Sequence, residues 1–154
     1  MRRASIITVF FISIFSCTNY STADAILVNI PIITAITRNA TGSGHLIEMS
    51  AQNAEIGFAG YRLFAGATEQ DVLSAPPSAG TDCSLPLYLI PNQGIPYKIE
   101  VDPAAVPPVN NSLNIVCSVP VTLTVGNYTA VRPLIYSDLS TITTGLSSNA
   151  VIVP

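Results

Sequence analysis

The chain reads as an all-β protein, an antiparallel sandwich of short strands behind an N-terminal signal peptide. Three observations carry that reading. Twelve prolines and nine glycines fall among 154 residues, so a turn former interrupts every few positions and long helices have no room. Between those breaks the runs are rich in Ile, Val, Thr and Tyr. They alternate apolar with polar residues, the period of a strand with one buried face. Amphipathic segments of 10–15 residues do not alternate with the strands, which excludes an α/β fold. What remains after a leader is enough for one domain.

The leader comes first. Met1-Arg-Arg3 is positive, and Ile6 to Phe15 is apolar apart from Thr8 and Ser13. That run is too short to span a bilayer, which takes about 20 residues, and it has the form of a secretory h-region. Ile14-Phe-Ser-Cys17 closes it. This tetrad resembles the lipobox of bacterial lipoproteins, with the bulky Phe15 as its departure from the usual pattern. The resemblance implies that Cys17 is lipidated and becomes the mature N-terminus. The chain would then divide into a signal peptide at 1–16, a polar tether at 17–25 and one β domain at 26–154, held on a membrane through its lipid. Ala23-Asp-Ala25 offers the alternative of ordinary cleavage after Ala25 and a soluble secreted or periplasmic protein.

The strands follow in order. Ile26 to Thr37 is β-branched and split by Pro31, which suits an edge strand or a bend. Asn39 to Gly44 is a turn, and His45 to Ala51 alternates with Ile47, Met49 and Ala51 on one face. Phe58 to Phe64 alternates again, with Tyr61 and Leu63 opposite Arg62 and Phe64. Ala65 to Asp82 is a long polar connection holding one helical turn, Thr68 to Leu73, capped by Thr68 and stopped by Pro76-Pro77. Leu85 to Ile90 and Tyr97 to Val101 are short strands. Asp102 to Ser112 is a proline-rich loop, and Leu113 to Val125 is an extended run interrupted by Pro120. Gly126 to Ser137 and Ser147 to Val153 read as the closing pair of strands, separated by a turn-rich break.

Three segments carry a second resemblance. Phe58-Ala-Gly-Tyr61-Arg-Leu63-Phe64 resembles the third strand of fibronectin type III domains, Gly126-Asn-Tyr128 their sixth, and Ser147 to Val153 their last. The chain departs from that family in having no Trp and a long middle at 65–112. The resemblance implies an immunoglobulin-like sandwich in which Tyr61 and Leu63 pack the core. It also implies that Tyr128 is the corner tyrosine, its ring buried and its hydroxyl bonded to nearby backbone.

With Cys17 assigned to lipid, Cys83 and Cys117 remain. In an exported chain such a pair is expected to be bridged. Two cysteines and the lone His45 give no metal-site spacing. His45 sits beside a glycine-rich turn and reads as a surface or turn residue, and no Gly-x-Ser-x-Gly elbow accompanies it. Glu100 and Asp102 read as a solvated strand face rather than an acid–base pair. Glu69, Asp71 and Asp82 lack the spacing of a calcium loop. Without the leader, four cations (Arg38, Arg62, Lys98 and Arg132) face nine carboxylates, a net charge of 4 − 9 = −5. That balance excludes a nucleic-acid binder, which needs a basic stripe. No catalytic motif, cofactor site or small-molecule site is legible. The expectation is a non-catalytic, lipid-anchored binding or adhesion module of the cell envelope with a protein partner, or alternatively a structural or assembly subunit.

Overall fold

In a computed structural model, which describes residues 29–51, 53, 57–83, 96–105, 115–137 and 141–154, the alternating runs form two facing sheets. The strands among these residues are β1 (Ile32–Arg38), β2 (His45–Ser50), β3 (Phe58–Gly66), β4 (Thr81–Asp82), β5 (Tyr97–Val101), β6 (Ile115–Val119), β7 (Tyr128–Tyr136), β8 (Ile142–Thr144) and β9 (Val151–Ile152). One sheet has the order β1-β2-β5-β6. The other has the order β4-β3-β7-β8, with β9 also on β7. The leader, Cys17 and the expected strand at Leu85 to Ile90 lie outside the described residues.

The core fills the space between the sheets. Every second residue of β2 and β5 is buried there: Ile47 and Met49 from one, Tyr97, Ile99 and Val101 from the other. Tyr61, Leu63, Val131 and Val153 enter it from the second sheet. Strand alternation explains the selection, because successive side chains leave a strand on opposite faces. The opposite face of the second sheet carries a smaller cluster of Phe64, Val72 and Ala130. Val72 comes from the short helix α1 (Glu69–Leu73), which lies in the long connection between β3 and β4. Thr68 caps that helix in a full capping box. Its hydroxyl accepts the Asp71 N–H, and the Asp71 carboxylate accepts the Thr68 N–H.

The expectation of a wholly antiparallel fold needs correcting. β5 and β6 run parallel, Lys98 beside Ile115 and Val101 beside Val119. Residues 102–114 separate the two strands, and a connection of a dozen or more residues is what a parallel return requires. β6 stops at Pro120, which cannot donate to a ladder, so the run toward Val125 does not continue as strand. Two short strands lie where the sequence predicts only connections. β4 lies inside the polar connection, and β8 lies inside the turn-rich break before the last strand.

β8 and β9 are two halves of one returning segment. β3 occupies one edge of β7 along nearly its full length, so both halves share the other edge. Leu134 faces Thr144 and Thr129 faces Val151, so five steps along β7 are matched by seven along the returning chain: a two-residue bulge. Within it the Val131 N–H donates to the Ser148 Oγ at 2.9 Å, a side chain taking the place of a backbone partner. Pro133 is tolerated in this central strand for the same reason. Its carbonyl accepts from the Gly145 N–H, so its missing N–H faces the bulge, not β3.

Candidate functional site

Tyr61 and Leu63 point into the main core, with 0% and 3% of their surfaces exposed. Tyr128 does not. It lies on the same face of β7 as Ala130, half-buried against the smaller cluster. Because Val131 faces the core, alternation sends Tyr128 outward. The buried ring with a bonded hydroxyl expected of Tyr128 belongs to Tyr61, which donates to the buried Asn53 Oδ1 at 3.0 Å. Phe58 packs its ring edge-on against Tyr61, with centroids 5.1 Å apart.

Cys83 and Cys117 form a disulfide with Cα atoms 5.6 Å apart. Cys83 immediately follows β4 at the edge of one sheet, and Cys117 lies on β6 at the edge of the other. The bridge therefore crosses between the sheets along one side of the sandwich.

A polar cluster closes one end of the first sheet. The Asp102 carboxylate accepts from Asn39 Nδ2 at 2.8 Å, from the Ser43 hydroxyl and from the Ala104 N–H at 2.9 Å. Ser43 bonding, then the backbone N–H and Asn39, hold its pKa below the ordinary carboxylate value. Asn39 Oδ1 accepts from the Thr41 hydroxyl and the Gly44 N–H, tying down the turn between β1 and β2. Gly42 turns that corner at φ +74°. Gly44 passes so close to the end of β5 that a Cβ there would stand 2.4 Å from the Val101 carbonyl oxygen. This overturns the solvated-face reading of Asp102, which is 5% exposed. Its neighbour two residues back, Glu100, remains half-exposed on the strand.

His45 is likewise not a surface residue. It is 2% exposed, and neither ring nitrogen has a hydrogen-bond partner. Burial, then the charge of Arg38 opposite it on β1, lower its pKa below the ordinary imidazole value. The backbone carbonyl of Pro154, which approaches without hydrogen-bond geometry, opposes that shift. Arg62 and Arg132 each have local partners. Arg62 forms an ion pair with Asp82, including an Nη2–Oδ2 contact of 2.9 Å, and that bonding raises its pKa. Arg132 is 7% exposed, stacks 4.2 Å over the Phe64 ring and donates to the carbonyls of Val72, Leu73 and Ala75. It closes the C-terminal end of α1, where the helix dipole favours a cation. Of the three acidic residues weighed for calcium, Asp71 serves the helix cap and Asp82 serves Arg62. Among the described residues no group of three or more His, Cys, Asp or Glu side chains could hold a metal ion.

The remaining candidate is a sheet edge. Ile142, Leu146 and Ile152 of the β8–β9 segment are 45%, 64% and 52% exposed, and Tyr136, paired with Ile142, is 47% exposed. Thr143, Val151 and Val153 turn their backbone groups toward β7, so Ile142, Thr144 and Ile152 turn theirs away from it. Beside this edge lies β1 of the other sheet. There Asn149 receives the Ile33 N–H on Oδ1 at 2.8 Å and returns a bond from Nδ2 to the Ile33 carbonyl at 3.0 Å. No local motif singles out Asn149 or this edge. Its signal was the complete lack of charge from Thr141 to Pro154.

No family model, no curated protein and no solved structure matches this chain.

Proposed function

We propose that the chain is an exported lipoprotein of the cell envelope, most simply of an outer membrane, anchored through Cys17 and carrying a non-catalytic protein-binding sandwich of fibronectin type III type. The observation that carries this reading is the buried bridge between Cys83 and Cys117, 6% and 0% exposed. Structural disulfides belong to oxidising compartments. The bridge also leaves Cys17 unmatched at the end of an apolar leader, where lipid is its natural use. The strand order supports the comparison with fibronectin type III domains. Without β6, the sheets β1-β2-β5 and β4-β3-β7-β8/β9 follow the immunoglobulin plan, in which the first, second and fifth strands face the third, sixth and seventh. β6, parallel and added beside β5, is this chain's departure from that plan. A non-catalytic role is supported by the employment of Asp102, Asp71, Asp82, Arg62 and Arg132, each committed to a turn, a cap or an ion pair.

Palmitate labelling tests the anchor. The wild-type chain is expected to carry label and to sediment with membranes, and Cys17→Ala is expected to lose both. Label and membrane association surviving in Cys17→Ala would end the lipoprotein reading, and a mature N-terminus at Ile26 would replace it with ordinary secretion. A second reading, an assembly subunit, is favoured by the exposed edge at β8–β9.

A further inference from the structure

We propose that the β8–β9 edge is a self-pairing interface, on which the same edge of a second copy of this chain adds as an antiparallel strand. The proposal rests on the reading of the chain as a protein-interaction module and names its site and partner.

Among the described residues the sandwich has four outer strands, and three of them are closed to addition. β1 follows Pro31, is interrupted by an irregularity at Thr34, and has both backbone groups of Ile33 held by Asn149. β4 is two residues long and ends at the Arg62–Asp82 ion pair. β6 is buried at four of its five residues. Prolines, bulges, charges and brevity are the ordinary devices that stop one sheet from growing onto another. The β8–β9 edge is bulged and its two strands are short, three and two residues, but no charge guards it. It combines outward-facing backbone with exposed Ile142, Leu146 and Ile152, and no charged residue occurs from Thr141 to Pro154.

The same features choose the partner. A strand added here sets its own side chains beside Ile142 and Ile152, so any charge it carried would lose water without an opposite charge to meet. An identical edge brings none. An antiparallel strand pair is also what a two-fold axis produces when it relates an edge to itself, giving a closed isologous dimer rather than an open fibre. With the axis on Ser147, Ile142 of one protomer falls opposite Ile152 of its partner, and both residues are outward-facing on the edge. The central bulge confines pairing to the two flanking segments and prevents further growth.

The full chain, purified in mild detergent, should sediment as a dimer that dissociates on dilution. Ile142→Lys and Ile152→Lys, singly or together, should shift it to monomer by tenfold or more in dimer dissociation constant. Both variants are at exposed sites, so their melting temperatures should stay within a few degrees of wild type. An equal mixture of Ile142→Cys and Ile152→Cys chains should form a disulfide between the two positions on mild oxidation, identified by mass spectrometry of the joined peptides. A chain that stays monomeric at several hundred micromolar overturns the proposal. So does a dimer that ignores both lysines, or one broken instead by Ile32→Lys on β1. A monomer that still crosslinks to a different protein through Ile142→Cys would end self-pairing while leaving the broader interaction reading intact. Loss of lipid labelling would touch only the anchor.

Discussion

The two long sides of the sandwich are sewn together by unequal means. On one side β4 and β6 are joined by the covalent Cys83–Cys117 bridge, buried on both partners. On the other, β1 and the β8–β9 segment are joined by the exposed side chain of Asn149, which offers Ile33 an acceptor and a donor as a neighbouring strand would. The covalent seam limits the unfolded chain and holds whether or not its neighbourhood breathes. The amide seam acts only in the folded state and competes with water. One side is thereby fixed, and the other, which also carries the exposed apolar edge, is left able to open locally.

The largest effect should come from breaking the covalent seam. Removing the bridge with Cys83→Ala and Cys117→Ala frees a loop of 34 residues' separation, which should cost ~3–4 kcal/mol in the chain-entropy account. For a domain of this size that is a fall of about 10 °C or more in melting temperature. Thermal unfolding of the double variant beside the wild type measures it. A loss of a degree or two would mean that the two sheets are held together without the covalent seam.

Much of this contrast could be read from the sequence, and the unread part has a common cause. Periodicity located β1, β2, β3, β5 and β7, and the capping residue located α1, because those signals are local. The cysteine pair was legible from number and compartment. What escaped depends on which residues meet across the fold. By sequence Asp102 looks like a solvated strand residue, because nothing local says that Asn39 and Ser43, some sixty positions earlier, converge on it. The Gly-x-Tyr motif points to Tyr128 as the buried corner tyrosine, but such a motif cannot say which face of its strand turns inward. Asn149 lies 116 positions from Ile33 and is one asparagine among many. The parallel placement of β6 follows from a crossover, and a pattern of period two is the same in either direction.

The amide seam should yield next. Asn149→Ala removes both bonds to Ile33 and should cost ~1–2 kcal/mol, the ordinary worth of two partly exposed hydrogen bonds. Hydrogen exchange would localise the loss, with faster exchange at the Ile33 amide and unchanged protection at Ile99 in the core. Asn149→Asp sharpens the test, because a carboxylate keeps the acceptor for the Ile33 N–H but sets a second acceptor against the Ile33 carbonyl. It should fail to restore stability. Full protection of Ile33 in Asn149→Ala would show that the clamp is incidental.

The smallest effect should appear with pH at the end of that same seam. His45 stands opposite Arg38 of β1 and close to the Pro154 carbonyl that follows β9. Its pKa is lowered in the folded chain, chiefly by burial and then by Arg38, from an ordinary value of 6.5. Below that value the unfolded chain binds a proton that the folded chain resists, so folding should weaken as pH falls through about 6.5. The loss levels off once pH passes below the folded-state pKa, and the approach of Pro154 keeps it modest. Asp102, whose pKa is lowered from 3.8, should contribute only in a separate and more acidic window, where its bonds to Ser43 and Asn39 are lost on protonation. Melting temperatures of wild type and His45→Gln between pH 5 and 8 separate the two residues. The wild-type curve should bend downward below about 6.5 while the variant stays level, and parallel curves across that range would remove His45 from the account of this seam.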